Sequence, residues 1–151
     1  MSEMLDKKDK LILEELKKNA RNSTLNIASA TAIPRVTVHD RINKMIKNNI
    51  VRSFTAVPNY QKLGLNTTVY IFVSTNPCEH NVSVLTIAKK ISSFSNVFET
   101  HIVSGEYDIL IKTRGESFDE IGTNIIAKIR EINGVGKTLT IPCFSTLKET
   151  I

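Results

Sequence analysis

The chain has no tryptophan, and only two of its 151 residues are cysteine. Cys78 and Cys143 lie far apart and form no CxxC; at most one disulfide could join them, and free thiols in a reducing cytosol are the expectation. No apolar run approaches the roughly 20 residues a membrane-spanning helix needs, so no membrane partner is expected. The opening residues, MSEMLDKKDK, are polar and mixed in charge; neither a signal nor a transit peptide is expected, and the placement expected is cytoplasmic. The glycines make no phosphate-cradling loop and no G-x-S-x-G. His39, His80 and His101 fall in no ligand spacing, and Cys78-Glu79-His80 offers two metal ligands that nothing completes. No catalytic residue, metal or cofactor is therefore expected.

What is present is an ordinary globular composition with an uneven charge. Hydrophobic residues make up 41% and charged residues 23%, which excludes a disordered chain. Residues 1–60 carry 11 Lys/Arg against 6 Asp/Glu, and residues 61–151 carry 9 of each, so the whole net charge of +5 sits on the first part. Such an asymmetry is a footprint for a polyanion and can steer association without specifying sequence. The helices lack an aromatic insertion face, which favours nucleic acid over a membrane surface.

The stretch from Thr24 to Asn48 reads as a short helix, a three-residue turn and a longer basic helix. Thr24 can cap the first, with Leu25 and Ala28 spaced for its inner face. Pro34 suits the start of the second. There Val38, Ile42, Met45 and Ile46 recur at i, i+4, i+7 and i+8 as one apolar stripe, and Val36, Thr37, Asp40, Asn43, Lys44 and Lys47 lie opposite, with Arg41 at the margin. A helix buried on one side and hydrogen-bonding on the other fits the DNA major groove. Arg or Lys would read guanine, Asn43 adenine, and Asp40 cytosine; Asp40 could equally pair with Lys44 or orient Arg41. Upstream, residues 5–21 form a bracing helix with Asp6 as N-cap, Asp9 in the first turn, and Ile12, Leu13, Leu16 and Ala20 facing inward. Asn48-Asn49 suits a left-handed helix end, and residues 50–57 suggest a strand under the helices, a small wing. The expected division is a helix-turn-helix domain over 1–54, a connector over 55–66 and a second domain over 67–151.

The second half alternates strands and helices: 67–74, 83–94, 97–103, 107–113, 117–132 and 138–147. The order βαββαβ predicts a ferredoxin-like sheet with both helices on one face, so the fold class is α+β. Its strands are apolar on both faces: Val69, Ile71 and Val73 on one, Tyr70 and Phe72 on the other. The face without helices calls for cover, most simply the same sheet of a second copy. Tyr70 and Phe72, if exposed, would instead suit base stacking in an RNA-binding module.

Both halves together resemble the leucine-responsive/asparagine regulator (Lrp/AsnC, feast/famine) family of transcription factors. The likeness runs through Leu5, Asp6, Asp9, Ile12, Leu13 and Arg21, through Ile27-Ala28, Thr37-Val38, Arg41-Ile42 and Met45, and through Gly105-Glu106-Tyr107-Asp108. It implies a sequence-specific transcriptional regulator on a pseudo-palindromic double-stranded operator, dimeric through the ferredoxin-like domain and often tetrameric or octameric, with amino-acid effectors between dimers. Where the family usually has Gly and Ser around the turn, this chain has Ala32 and Pro34. Ala32 would take the turn at some strain, and phosphate anchoring would fall to backbone N–H groups and Arg35. The effector region implied is Gly105, Glu106, Tyr107 and Asp108, with Thr138 and Thr140 on one face of the last strand. A minority of relatives act on sirohaem, which gives an alternative: a tetrapyrrole enzyme needing His101 or another histidine beside a large pocket. The basic face and the lack of tryptophan speak against it.

Overall fold

A computed structural model describes residues 5–76 and 82–149. Contacts divide the chain into one unit up to Val57 and another from Pro58 onward. Cys78-Glu79-His80 lies outside the described residues.

The first unit is built on three helices: α1 (Lys7–Lys18), α2 (Thr24–Thr31) and α3 (Arg35–Lys47). Asp6 caps α1 in a full capping box: its side chain accepts from the Asp9 N–H while Asp9 accepts from the Asp6 N–H. Ser23, not Thr24, caps α2, accepting from the Asn26 N–H. Ala32 ends α2 in the left-handed region at φ 54°, and Asn49 follows α3 at φ 56°, as the turn chemistry predicts. Ile12, Leu16, Ile27, Ile33, Val38 and Met45 form the core. Two expected inward residues are corrected: Leu25 is exposed, because Ile27 takes the inner position of α2, and Ala20 lies past the end of α1 and is exposed. Ile46 is likewise exposed. The expected strand over 50–57 does not form. The N–H groups of Ile50 and Val51 both turn back to the Met45 carbonyl at the end of α3, which leaves them unavailable to a ladder. Those two side chains pack on the core, whereas Phe54 and Val57 are exposed.

The second unit begins with a 3₁₀ turn, Gln61–Leu63, closed by Gly64 at φ 81°. It continues as β1 (Thr67–Thr75), α4 (Val84–Ser92), β2 (Val97–Ile102), β3 (Ile109–Gly115), α5 (Phe118–Ile121), a π-helical turn (Gly122–Ile126), α6 (Ala127–Arg130) and β4 (Val135–Pro142). The four strands pair antiparallel in the order β2-β3-β1-β4, the split-βαβ arrangement expected. Val69, Ile71 and Val73 of β1 and Ile109 and Ile111 of β3 meet Ile87, Ile91, Ile121, Ile125 and Ile129 from the helices in one dry core. β4 starts and stops earlier than its apolar pattern suggested. Cys143 still donates to the Thr68 carbonyl, but β1 runs out there, and Phe144 and Leu147 stand fully exposed.

Candidate nucleic-acid interface and effector region

The exposed side of α3 carries the side chains expected there. Arg35, Val36, Asp40, Asn43, Lys44 and Lys47 are exposed, Val36 to 72%, and Thr37 is half-buried. Among the described residues no side chain caps α3, whose first turn follows Pro34. Arg35 reaches back across the turn, its Nε donating to Thr24 Oγ1 at 3.2 Å, which ties the start of α3 to that of α2. His39, absent from the expected face, lies against it: Asn43 Nδ2 is 3.3 Å from its Nε2, and its Nδ1 is 3.3 Å from Asp40 Oδ1.

Arg41 is placed differently from its neighbours. Its Nη1 lies 2.6 Å from Asp6 Oδ2 and 2.7 Å from Asp9 Oδ1. Each carboxylate of the capping box thus gives one oxygen to a backbone N–H of α1 and the other to Arg41. The Asp9 N–H and then Arg41 hold the Asp6 carboxyl below its ordinary range, and Asp9 and then Asp6 raise Arg41. A hollow of about 360 Å³ opens beside this ion pair, lined among others by Thr37, Asp40 and Lys44.

In the second unit, Gly105 takes φ 138° in the β2–β3 connection, a value that favours glycine. Asp108 closes that connection. Its N–H donates to the Val73 carbonyl, and its Oδ2 accepts from the Thr75 N–H at 2.6 Å and the Thr75 hydroxyl at 2.9 Å. Tyr107 stacks tilted on Phe72 at 5.6 Å, on the sheet side away from the helices. Thr138 and Thr140 lie opposite Val73 and Ile71 in the ladder and therefore face the helices; Arg130 Nε donates to Thr138 Oγ1 at 3.0 Å. The two threonines and Tyr107 are thus on opposite sides of the sheet. Beside Tyr107 and Glu106 there is instead a recess of about 370 Å³ completed by Ser74, Asn76, Gly136 and Lys137. A Cβ on Gly136 would come within 2.9 Å of Ser74 Oγ, so glycine lets β4 approach there. Sequence reasoning missed Ser74, Asn76 and Lys137; the visible signal was Gly136 at the start of an apolar strand. Among the described residues no cluster of three or more His, Cys, Asp or Glu is placed for a metal, and no helix is long and apolar enough to cross a membrane.

A buttressed helix pair presenting a polar, cationic second helix, followed by a four-stranded α+β unit, defines a helix-turn-helix DNA-binding transcriptional regulator. Residues 5–52 match the model for winged helix-turn-helix DNA-binding domains, and residues 68–151 match that for the Lrp/AsnC ligand binding domain. The chain belongs to the Lrp/AsnC family. An uncharacterized HTH-type transcriptional regulator of Pyrococcus furiosus is 44% identical over 151 residues, covering all of both chains. The HTH-type transcriptional regulator FL11 of the same organism is 28% identical over 150 residues, 99% of this chain and 96% of that one. Among solved structures, AsnC of E. coli superposes with a TM-score of 0.86 at 24% identity, covering 99% and 98% of the two chains. A Neisseria meningitidis transcriptional regulator in complex with L-Met superposes with a TM-score of 0.86 at 20% identity, covering 97% and 94%. These relatives are named as transcriptional regulators, which favours that reading over the tetrapyrrole-enzyme and RNA-module alternatives.

Proposed function

We propose that the chain works as a homo-oligomer that reads a pseudo-palindromic operator with α3 and answers to a free amino acid. Val36, Thr37, Asp40, Asn43 and Lys44 contact base edges, Arg35 and Lys47 contact phosphates, and Arg41 positions the helix instead of reading a base. The observation that carries assembly is the sheet side away from the helices, where Tyr70 and Phe72 continue into Leu139 and Ile141, each of these two 43% exposed. A second copy of the sheet covers that strip. Two heads related by a two-fold axis then meet half-sites about 34 Å apart, or a multiple of that. The match to a ligand-binding domain model supports an effector, and the recess by Tyr107 supports an amino acid: Lys137 faces its carboxylate and Glu106 its ammonium.

Selection of sites from random duplexes tests the DNA reading, with two-fold symmetric sites expected and unenriched pools overturning it. Light scattering at micromolar concentration tests assembly, a dimer mass or larger being expected. A thermal-shift screen of the twenty amino acids tests the effector. A stabilising amino acid should lose its effect in Lys137→Met and Glu106→Gln, and equal stabilisation of these variants places the pocket elsewhere.

A further inference from the structure

With Arg41 drawn to Asp6 and Asp9, the polar side chains left on the exposed side of α3 include Asn43, the only carboxamide within the helix. An exposed asparagine is a loose reader by itself. Its terminal torsion is broad and roughly two-fold, so the oxygen and the NH2 group exchange places at little cost. A bidentate contact with adenine needs both fixed, the oxygen accepting from N6 and one N–H donating to N7.

His39 supplies a means of fixing them. The two residues stand at i and i+4, where side chains of a helix meet. Asn43 Nδ2 lies 3.3 Å from His39 Nε2 and 3.4 Å from His39 Nδ1. A group so nearly equidistant from both nitrogens would collide with a ring carbon if it lay in the ring plane. The amide nitrogen therefore sits over the face of the imidazole. The ring is held in turn by the residue after it, with its Nδ1 3.3 Å from Asp40 Oδ1. A carboxylate oxygen accepts, so Nδ1 is the donor there. The His39 side chain is 62% exposed and takes no part in the core, so its contacts serve the surface of α3 and not packing.

We propose that His39 is a positioning residue for base reading: anchored by Asp40, its ring sets the Asn43 carboxamide in the orientation that reads adenine. This rests on the reading of α3 as the helix that meets base edges. An asparagine NH2 carries two N–H groups. One directed at the ring leaves the other, together with the oxygen, for adenine, so both contacts hold at once. Asp40 likewise gives one oxygen to the ring and keeps the other for a base edge. An N–H contact with a ring face is weak alone. Its effect is to narrow the Asn43 torsion before DNA arrives, which lowers the ordering cost of binding.

The test has one arm without DNA and one with it, both on the full chain. In nitrogen-15 NMR of the free protein, the Asn43 side-chain amide protons should be displaced upfield by the ring, and His39→Ala should remove that displacement. On a selected duplex and its three single-base replacements at the position that Asn43→Ala relaxes, His39→Ala should lower the base preference by about threefold or more. The salt slope and the unfolding temperature should stay as in wild type. In an Asn43→Ala background, adding His39→Ala should change no preference further. Unshifted Asn43 amide protons, or effects of His39→Ala that add fully to those of Asn43→Ala, would overturn the positioning role. So would a loss shared by all sequences with a lower salt slope, which assigns His39 to a phosphate. If Asn43→Ala relaxes a position and His39→Ala does not, the positioning role alone falls. If Asn43→Ala itself changes no preference, the reading of bases by α3 falls and the role with it.

Discussion

Arg41 of α3 and Asp6 at the N-cap of α1 are joined across 35 residues by a 2.6 Å contact from Nη1 to Oδ2. Asp9 completes the clamp from the next turn. The charge that binds α1 to α3 is thus drawn from α3 itself. Arg41→Met should lower the unfolding temperature of the first unit and weaken binding to all duplexes alike, with base preferences at every position of a selected site kept. Asp9→Asn should reproduce the stability loss. A preference lost at one base position in Arg41→Met would return Arg41 to the base-reading set.

Asn43 and Lys47 should separate reading from attraction. Asn43→Ala should relax specificity at one base position per half-site by about 1–3 kcal/mol. Lys47→Ala should weaken all sequences and reduce the slope of log K against log salt by about 1. Binding titrations at three salt concentrations on selected and scrambled duplexes distinguish the two. If neither variant changes binding, the outward face of α3 is not the one that meets DNA.

Ala32 holds φ 54°, where a Cβ costs roughly 1–2 kcal/mol. Ala32→Gly removes that cost but gives the unfolded chain more freedom, so a net stabilisation of about 1 kcal/mol or slightly less is expected. For a unit of this size the melting temperature should rise by several degrees, since about 1 kcal/mol shifts a 60–100-residue domain by 4–8 °C. Calorimetry of the full chain should show the rise in the transition assigned to the first unit alone.

Asp108 takes both polar hydrogens of Thr75. Asp108→Ala leaves the Thr75 N–H without its acceptor, which should cost about 1–3 kcal/mol in urea unfolding. Asp108→Asn, which keeps one acceptor oxygen, should cost less. An amino acid that stabilises wild type should still stabilise Asp108→Asn, because the Asp108 oxygen that meets Thr75 works within the fold.

The pH response of the second unit follows from Glu149, Glu99 and Lys112. Lys112 and then Arg114 hold Glu149 below its ordinary value of 4.5, and Lys112 and then His101 do the same for Glu99. A carboxylate with a depressed folded value stabilises fully above 4.5 and loses that contribution as pH falls through the folded value. Lys112 moves the other way: burial opposes its charge, but Glu149 and Glu99 outweigh burial and raise it above 10.5. Its contribution is full below 10.5 and is lost as pH rises through the folded value. Urea midpoints should be flat between these limits and fall on both sides, and Glu149→Gln should flatten the acid limb.

What could be read from the sequence was short in range. The Asp6 N-cap, the strained turn at Ala32, the left-handed helix end at Asn48-Asn49 and the βαββαβ order all depend on residues a few positions apart or on simple periodicity. Where the reading failed, the partner lay far away. Arg41 read as a marginal outward residue because nothing local marks Asp6 and Asp9 as its partners. Lys112 and Arg114 alternate within a strand as solvent-facing charges do, and they are buried because Tyr60, Phe98 and Glu149 arrive from elsewhere in the chain. In α2, with eight residues and few apolar ones, Leu25 and Ile27 competed for the core, and spacing alone could not decide between them. The expected strand over 50–57 had the right composition, but the end of α3 had already taken its first two donors.

The π-helical turn between α5 and α6 bears on chain length. Ala127 donates to the Gly122 carbonyl five residues back, so the segment holds one residue more than α-helical winding would use. Ile121, Ile125, Ile126 and Ile129 all reach the core despite that surplus, while Thr123 and Asn124 bulge into solvent. With one of these two removed, the four isoleucines would fall at i, i+3, i+4 and i+7, the spacing of a regular helix with one apolar face. The position can therefore lose a residue without turning a single isoleucine away from the sheet, and a deletion in the second unit should be tolerated there before any other helical position.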